Sequence, residues 1–228
     1  MIKKVGYLPY NVMLKTTVWL FVIVYLGVIG TFFLIKSKRF PKVGTSQKFL
    51  FVAVALFFYM YIITRIFYIL SDFERDANSA TVLYYRYVAI GHIFIILALA
   101  NIIFITEKYI INQSKYLLTY AFLIILGINV IILIFSPTLM PAVRYINYGL
   151  WYSQVIILLI IYLYLSVKTT GILRKKAFLT FIAIVVMMIG SIIESDALIS
   201  SGLVSPYYTP IIFSIGATIF AYSQNIQI

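Results

Sequence analysis

Tyr84–Lys108, YYRYVAIGHIFIILALANIIFITEK, is the stretch that decides the fold class. Between Arg86 near one end and Glu107 and Lys108 at the other lie about twenty apolar residues, interrupted only by His92, Asn101 and Thr106. At a helical rise of ~1.5 Å per residue, that length matches the ~30 Å hydrocarbon core of a bilayer, so a membrane-spanning helix is expected here. His92 is the single histidine of the chain. An imidazole at that depth is either a polar contact to a neighbouring helix or part of a binding site.

The rest of the chain has the same character. Of its 228 residues, 64% are hydrophobic and only 11% charged, which is the composition of an integral membrane protein rather than a soluble domain. Further apolar runs are found on both sides of the central stretch. The predicted helices cover about 16–35, 49–70, 84–106, 116–135, 145–167, 177–199 and 207–222. The first run is too long for a signal-peptide core and lacks a small-residue cleavage site, so it reads as a retained span. Polar or helix-breaking connections separate the runs: a basic segment around Pro41 and Gly44, the acidic SDFERDANSA at 71–80, SPTLMP at 136–141 and SSGLVSP at 200–206. The expected fold is an all-α membrane protein, a single seven-transmembrane-helix bundle in a cell membrane.

Most of the +12 net charge sits in the short connections, so it reads as a topology signal and not as a nucleic-acid footprint. The connections after the first, third and fifth runs carry five, two and four Lys or Arg residues. The opposite side has six, namely Lys3, Lys4, Lys15, Arg75, Arg86 and Arg144. The positive-inside rule then puts the N-terminus outside and the C-terminus in the cytoplasm. In that topology the N-x-S triplet Asn112–Ser114 is cytoplasmic and is not expected to be glycosylated.

The orientation gives each intramembrane polar group a depth. Arg65 and Glu194 each lie about five residues from the outer end of their helices, roughly 8 Å below the surface, where they could meet. Tyr61, Arg65, Tyr68 and Asp72 share one face of the second helix at i, i+4, i+7 and i+11. Asn147, Trp151 and Gln154 form a polar and aromatic stripe on the fifth helix, and Tyr85 lies seven residues before His92 on the third. An intramembrane charge normally faces protein or water and marks a site. The candidate ligand-binding residues are therefore Arg65, Glu194, His92, Tyr61, Tyr68, Tyr85, Trp151, Gln154 and Asn147. The alternative is structural, with Arg65 and Glu194 an ion pair joining two helices and the aromatic residues an interfacial belt.

Catalysis finds little support in the sequence. One histidine and no cysteine cannot readily supply a zinc site. The paired-aspartate contexts of membrane aspartyl proteases, a Gly-x-Ser-x-Gly elbow and a phosphate-cradling glycine loop do not occur either. The last helix has no lysine for a retinal Schiff base. No enzyme activity, metal or cofactor is expected. A small-solute transporter stays open as an alternative, although the prolines all fall in connections or at helix ends and no internal repeat is evident.

Two segments, RYVAIGHIFIILALANIIFITEKY at 86–109 and TPIIFSIGATIFAYSQ at 209–224, resemble parts of the N-terminal seven-helix sensor region of some prokaryotic histidine kinases and related signalling proteins. The resemblance rests on an arginine at the outer start of the third helix, a proline opening the seventh and a small-aromatic ending after it. It implies a membrane sensor for an external or intramembrane small ligand. The residues after Tyr222 are too few for the output domain of that family, so the resemblance implies that output passes to a cytoplasmic signalling partner. The basic segments Lys36–Lys48 and Lys168–Lys176 are where such a partner would make contact, or where the chain would touch anionic lipid headgroups.

Overall fold

The computed structural model describes residues 12–39, 45–78, 81–109, 115–193, 205 and 207–226. Among them are seven α-helices and no strand: α1 Val12–Arg39, α2 Thr45–Asn78, α3 Val82–Tyr109, α4 Leu117–Phe135, α5 Met140–Lys168, α6 Gly171–Ile193 and α7 Tyr208–Asn225. Six of these, α1 to α6, are long and apolar enough to cross a bilayer. The sequence predicts seven spans, but α7 does not reach that standard. Its 18 residues reach ~27 Å, and Thr209, Ser214, Thr218, Ser223 and Gln224 dilute its apolar character.

Large apolar side chains cover the outside of these helices. Phe21, Val24 and Val28 on α1, and Ile124, Ile131 and Phe135 on α4, are all exposed. Contiguous apolar surface of this kind is not sustained in water and is solvated by lipid acyl chains. The fold is therefore that of a multi-pass membrane protein.

Several helices run further than the apolar stretches that announce them. The segment Ser71–Asn78, expected to be a connection, continues α2. Ser71 Oγ donates to the Tyr68 carbonyl at 2.8 Å, and Asp72 pairs with Arg75 one turn on at 3.5 Å. Polar residues can prolong a helix beyond the apolar run because its backbone is already satisfied internally. The turn into α3 is fixed by Thr81, whose Oγ1 accepts from the Tyr84 N–H at 3.2 Å as an N-cap and donates to Glu74 at 2.7 Å. Helix α6 begins at Gly171, six residues before its expected start, and the φ of +62° there is a conformation that glycine adopts without penalty. Pro137 opens a 3₁₀ turn, and Pro141 lies in the first turn of α5, where a missing N–H costs nothing. The Asn112–Ser114 triplet lies outside the described residues.

The connection from α3 to α4 is built differently. Lys115 and Tyr116 have φ of 48° and 64°, in the left-handed region, and Tyr116 makes no side-chain cap for α4. Glu107 of α3 supplies the cap instead. Its carboxylate is 1% exposed and accepts from the Leu118 N–H at 3.0 Å, the Thr119 N–H at 2.9 Å and the Thr119 hydroxyl. A carboxylate on the first turn of a helix meets both the orphan N–H groups and the positive end of the helix dipole.

The chain divides into two compact units, whose boundaries fall within α1 and α5. One comprises Ile23–Ile160. In it α2 packs along α3 and α3 along α4. Gly30 of α1 admits the Tyr59 ring of α2, whose hydroxyl is 2.7 Å from Thr31 Oγ1, and Asn101 of α3 donates to the Ala53 carbonyl of α2 at 2.6 Å. The other takes in the described residues of Met1–Val22 and Ile161–Ile228. There α6 and α7 pack closely, Trp19 rests 6.5 Å from the Phe213 ring, and Thr180 Oγ1 lies 3.0 Å from Ser223 Oγ and accepts from Gln224 Nε2 at 3.0 Å.

Candidate functional site

Within the unit Ile23–Ile160, the helical spacing of α2 has the effect expected of it. Tyr61, Arg65 and Tyr68 rise along one face, and the Arg65 guanidinium lies 4.9 Å from the Tyr61 ring and 5.7 Å from the Tyr68 ring. Arg65 Nε donates to the Tyr61 hydroxyl at 3.0 Å, and Nη2 donates to the same oxygen. Arg65 is 5% exposed, and aromatic faces and a phenol oxygen are among the groups that surround its charge.

The Tyr68 ring also reaches α3. A Cβ placed on Gly91 would overlap it, so the absence of a side chain at Gly91 is what lets this ring pack against α3. Next to Gly91, His92 is 1% exposed and meets the Tyr68 ring edge-on at 5.9 Å. From α5, Trp151 and Tyr148 close on the same imidazole at 4.9 and 6.2 Å, both edge-on, with 5.4 Å between their own rings. Edge-to-face contacts at these separations are favourable for π systems. The Trp151 Nε1–H is buried and has no hydrogen-bond partner among the described residues. Three helices thus contribute to one continuous run: Tyr61, Arg65 and Tyr68 from α2, His92 from α3, and Tyr148 and Trp151 from α5.

Five of the nine candidate residues come together in this run, namely Tyr61, Arg65, Tyr68, His92 and Trp151. Asn147 and Tyr85 are placed elsewhere. Asn147 forms a reciprocal amide pair with Asn129 of α4, donating at 2.8 Å and accepting at 3.1 Å, and both residues are fully buried. Satisfied on both sides, that pair reads as a clamp between α4 and α5. Tyr85 packs on Val88 and Ala89 beside Ile132 and Leu133, and its ring meets Tyr84 at 5.2 Å. Glu194 lies outside the described residues, as does the side chain of Gln154, so the expected pairing of Arg65 with Glu194 lies outside them too.

Tyr148 and Gly91 are the residues of the cluster that sequence reasoning misses. Tyr148 stands three residues before Trp151, a helical neighbour that the Asn147–Trp151–Gln154 stripe passes over. Gly91 gave no signal as a residue type, since its role lies in the volume it leaves for Tyr68. In the sequence Glu107 reads only as the polar boundary of a span, and its part in holding the start of α4 is not encoded in local spacing.

No protein-family model matches the chain, and neither a curated protein nor a solved structure shows significant similarity to it.

Proposed function

We propose that the chain is a sensor or receptor-like protein of a cell membrane, with seven spans and an external N-terminus. In this reading it binds a small ligand in the outer half of the membrane at the Tyr61–Arg65–Tyr68–His92–Trp151 cluster, passes its signal to a cytoplasmic partner and performs no catalysis itself. The observation that carries the proposal is a buried arginine stacked on tyrosines, in one run with the single histidine and a tryptophan whose N–H has no hydrogen-bond partner among the described residues. A buried intramembrane charge is costly and is ordinarily kept for a purpose. Its chemistry matches a small carboxylate with an aromatic or apolar body: the guanidinium fork accepts the carboxylate, the rings cover the body, and the indole N–H donates a further hydrogen bond. The resemblance of segments 86–109 and 209–224 to kinase sensor regions favours the same class.

The chain has two tryptophans, so a Trp19→Phe variant leaves Trp151 as the only indole reporter. Reconstituted in nanodiscs and titrated with benzoate, that variant is expected to show a saturable change in indole emission that Arg65→Leu abolishes. An emission unaffected by benzoate and by other small aromatic carboxylates would remove the ligand site. Uptake of the same probe into proteoliposomes, coupled to an ion gradient, would replace the sensor with a transporter.

A further inference from the structure

We propose that the end of the Ile23–Ile160 unit where α2 begins and α3 finishes binds the headgroup of an anionic phospholipid, with Lys108 as its anchor. Lys108 is exposed, and its ammonium sits 5.2 Å from the Phe49 ring, 5.7 Å from Phe104 and 5.4 Å from Tyr109. These rings come from two helices, and all three are themselves exposed. A water-soluble anion has no use for three exposed rings around its counter-charge. A phospholipid does, because the rings occupy the depth where acyl chains meet headgroups while the ammonium reaches the phosphate. The cation–π contacts also hold Lys108 in place, so less of its rotamer freedom remains to be lost on binding.

The surrounding charge points to the same occupant. Lys48 stands beside Phe49 and Lys115 precedes α4, and both are exposed. Among the described acidic residues of this unit, Glu107 is the only one at this end, and its carboxylate is turned onto the start of α4. Asp72 and Glu74 lie at the far end of α2. Since α2 and α3 have membrane-spanning length, this cationic end lies at headgroup depth, and each lysine near an anionic surface contributes on the order of 1 kcal/mol.

The test is native mass spectrometry of the full chain in detergent micelles supplied with phosphatidylglycerol or phosphatidylcholine. Wild type is expected to retain phosphatidylglycerol preferentially. Lys108→Gln should cut that retention about fivefold, whereas Arg75→Gln and Arg86→Gln, which remove the same charge at the opposite ends of α2 and α3, leave it near wild type. Equal losses in all three variants would show diffuse attraction and overturn the site, as would equal retention of the two lipids by wild type. Should Lys108→Gln fail to fold, Phe49→Leu decides the matter. It keeps every charge, and an about twofold loss of phosphatidylglycerol with phosphatidylcholine unchanged supports the cage, while no loss overturns it.

Discussion

Helices α6 and α7 in one unit, and α2, α3 and α5 in the other, meet through opposite kinds of surface. Along α6 and α7 the backbones approach closely. A Cβ on Gly216 would lie 2.9 Å from the Met187 amide nitrogen and 3.1 Å from the Ala183 carbonyl oxygen, and one on Gly190 would lie 3.3 Å from the Phe213 nitrogen. Hydroxyl and amide contacts among Thr180, Ser223 and Gln224 complete the joint. Between α2, α3 and α5, by contrast, bulky and polar side chains fill the space, and the tightest glycine contact there, at Gly91, is with a ring. Lipid offers apolar side chains no incentive to leave it, so helices in a membrane associate through close packing or through polar contacts. The first joint uses small residues and backbone, and leaves little chemistry over. The second spends a buried arginine and an imidazole where aliphatic residues would pack as well, and that surplus marks it as the candidate site.

The largest effect is expected where the backbone itself blocks change. Gly216→Ile should lower stability by about 3 kcal/mol, because the atoms it strikes are main-chain atoms of α6 that cannot turn aside. The measurement is the unfolding midpoint of the detergent-solubilised protein. A midpoint near that of wild type would mean that α6 and α7 are not joined through Gly216, and the contrast between the two units would fail.

Next comes Glu107→Ala, which leaves the Leu118 and Thr119 N–H groups without their carboxylate and should cost about 2 kcal/mol. Because Lys115 and Tyr116 are already held at positive φ, the loss should be felt first in the opening turn of α4, as faster amide hydrogen exchange there than in α3. Uniform exchange along both helices would show that the cap is not what holds that turn.

These two residues also show how far the sequence could be read. Apolar runs of bilayer length announce α1 to α6, because lipid selects strongly for length and composition. The helix ends were less legible: Ser71–Asn78 reads as a loop by its charge yet is helical, since outside the membrane polar residues no longer argue against a helix. Within the site, one-helix spacing placed Tyr61, Arg65 and Tyr68 together. It does not say which face of α5 meets His92, and of the stripe Asn147–Trp151–Gln154 it is Trp151 that packs on the imidazole while Asn147 pairs with Asn129. A reciprocal pair such as Asn129 with Asn147, or a carboxylate capping the next helix, depends on which helices are neighbours, and periodicity along a single helix carries no information about that.

Gly91→Ala tests the second joint at its narrowest point. Here the obstructing atoms belong to the Tyr68 ring, which can swing away, so the expected cost is smaller than at Gly216, about 1 kcal/mol. The consequence for the cluster should exceed the consequence for stability. Moving Tyr68 takes a ring off His92 and off the Arg65 guanidinium, so in the Trp19→Phe background the emission of Trp151 should shift and any response to benzoate should weaken. If stability falls as far as in Gly216→Ile while Trp151 emission stays constant, the two joints are alike and the cluster is packing only.

The smallest effect is expected at Gly127 on α4, and its smallness gives the other two glycines their meaning. A Cβ there meets nothing within 4 Å, and the residue lies exposed among Leu123, Ile124 and Ile128, also exposed. Gly127→Ala should therefore leave the unfolding midpoint unchanged or raise it slightly, since alanine favours the helix by up to about 1 kcal/mol over glycine when no neighbour is displaced. A clear loss of stability would mean that this face of α4 is covered by something other than acyl chains. It would then count as a packing surface like that of α6 and α7, and a glycine's tolerance would no longer distinguish lipid-facing positions from helix joints.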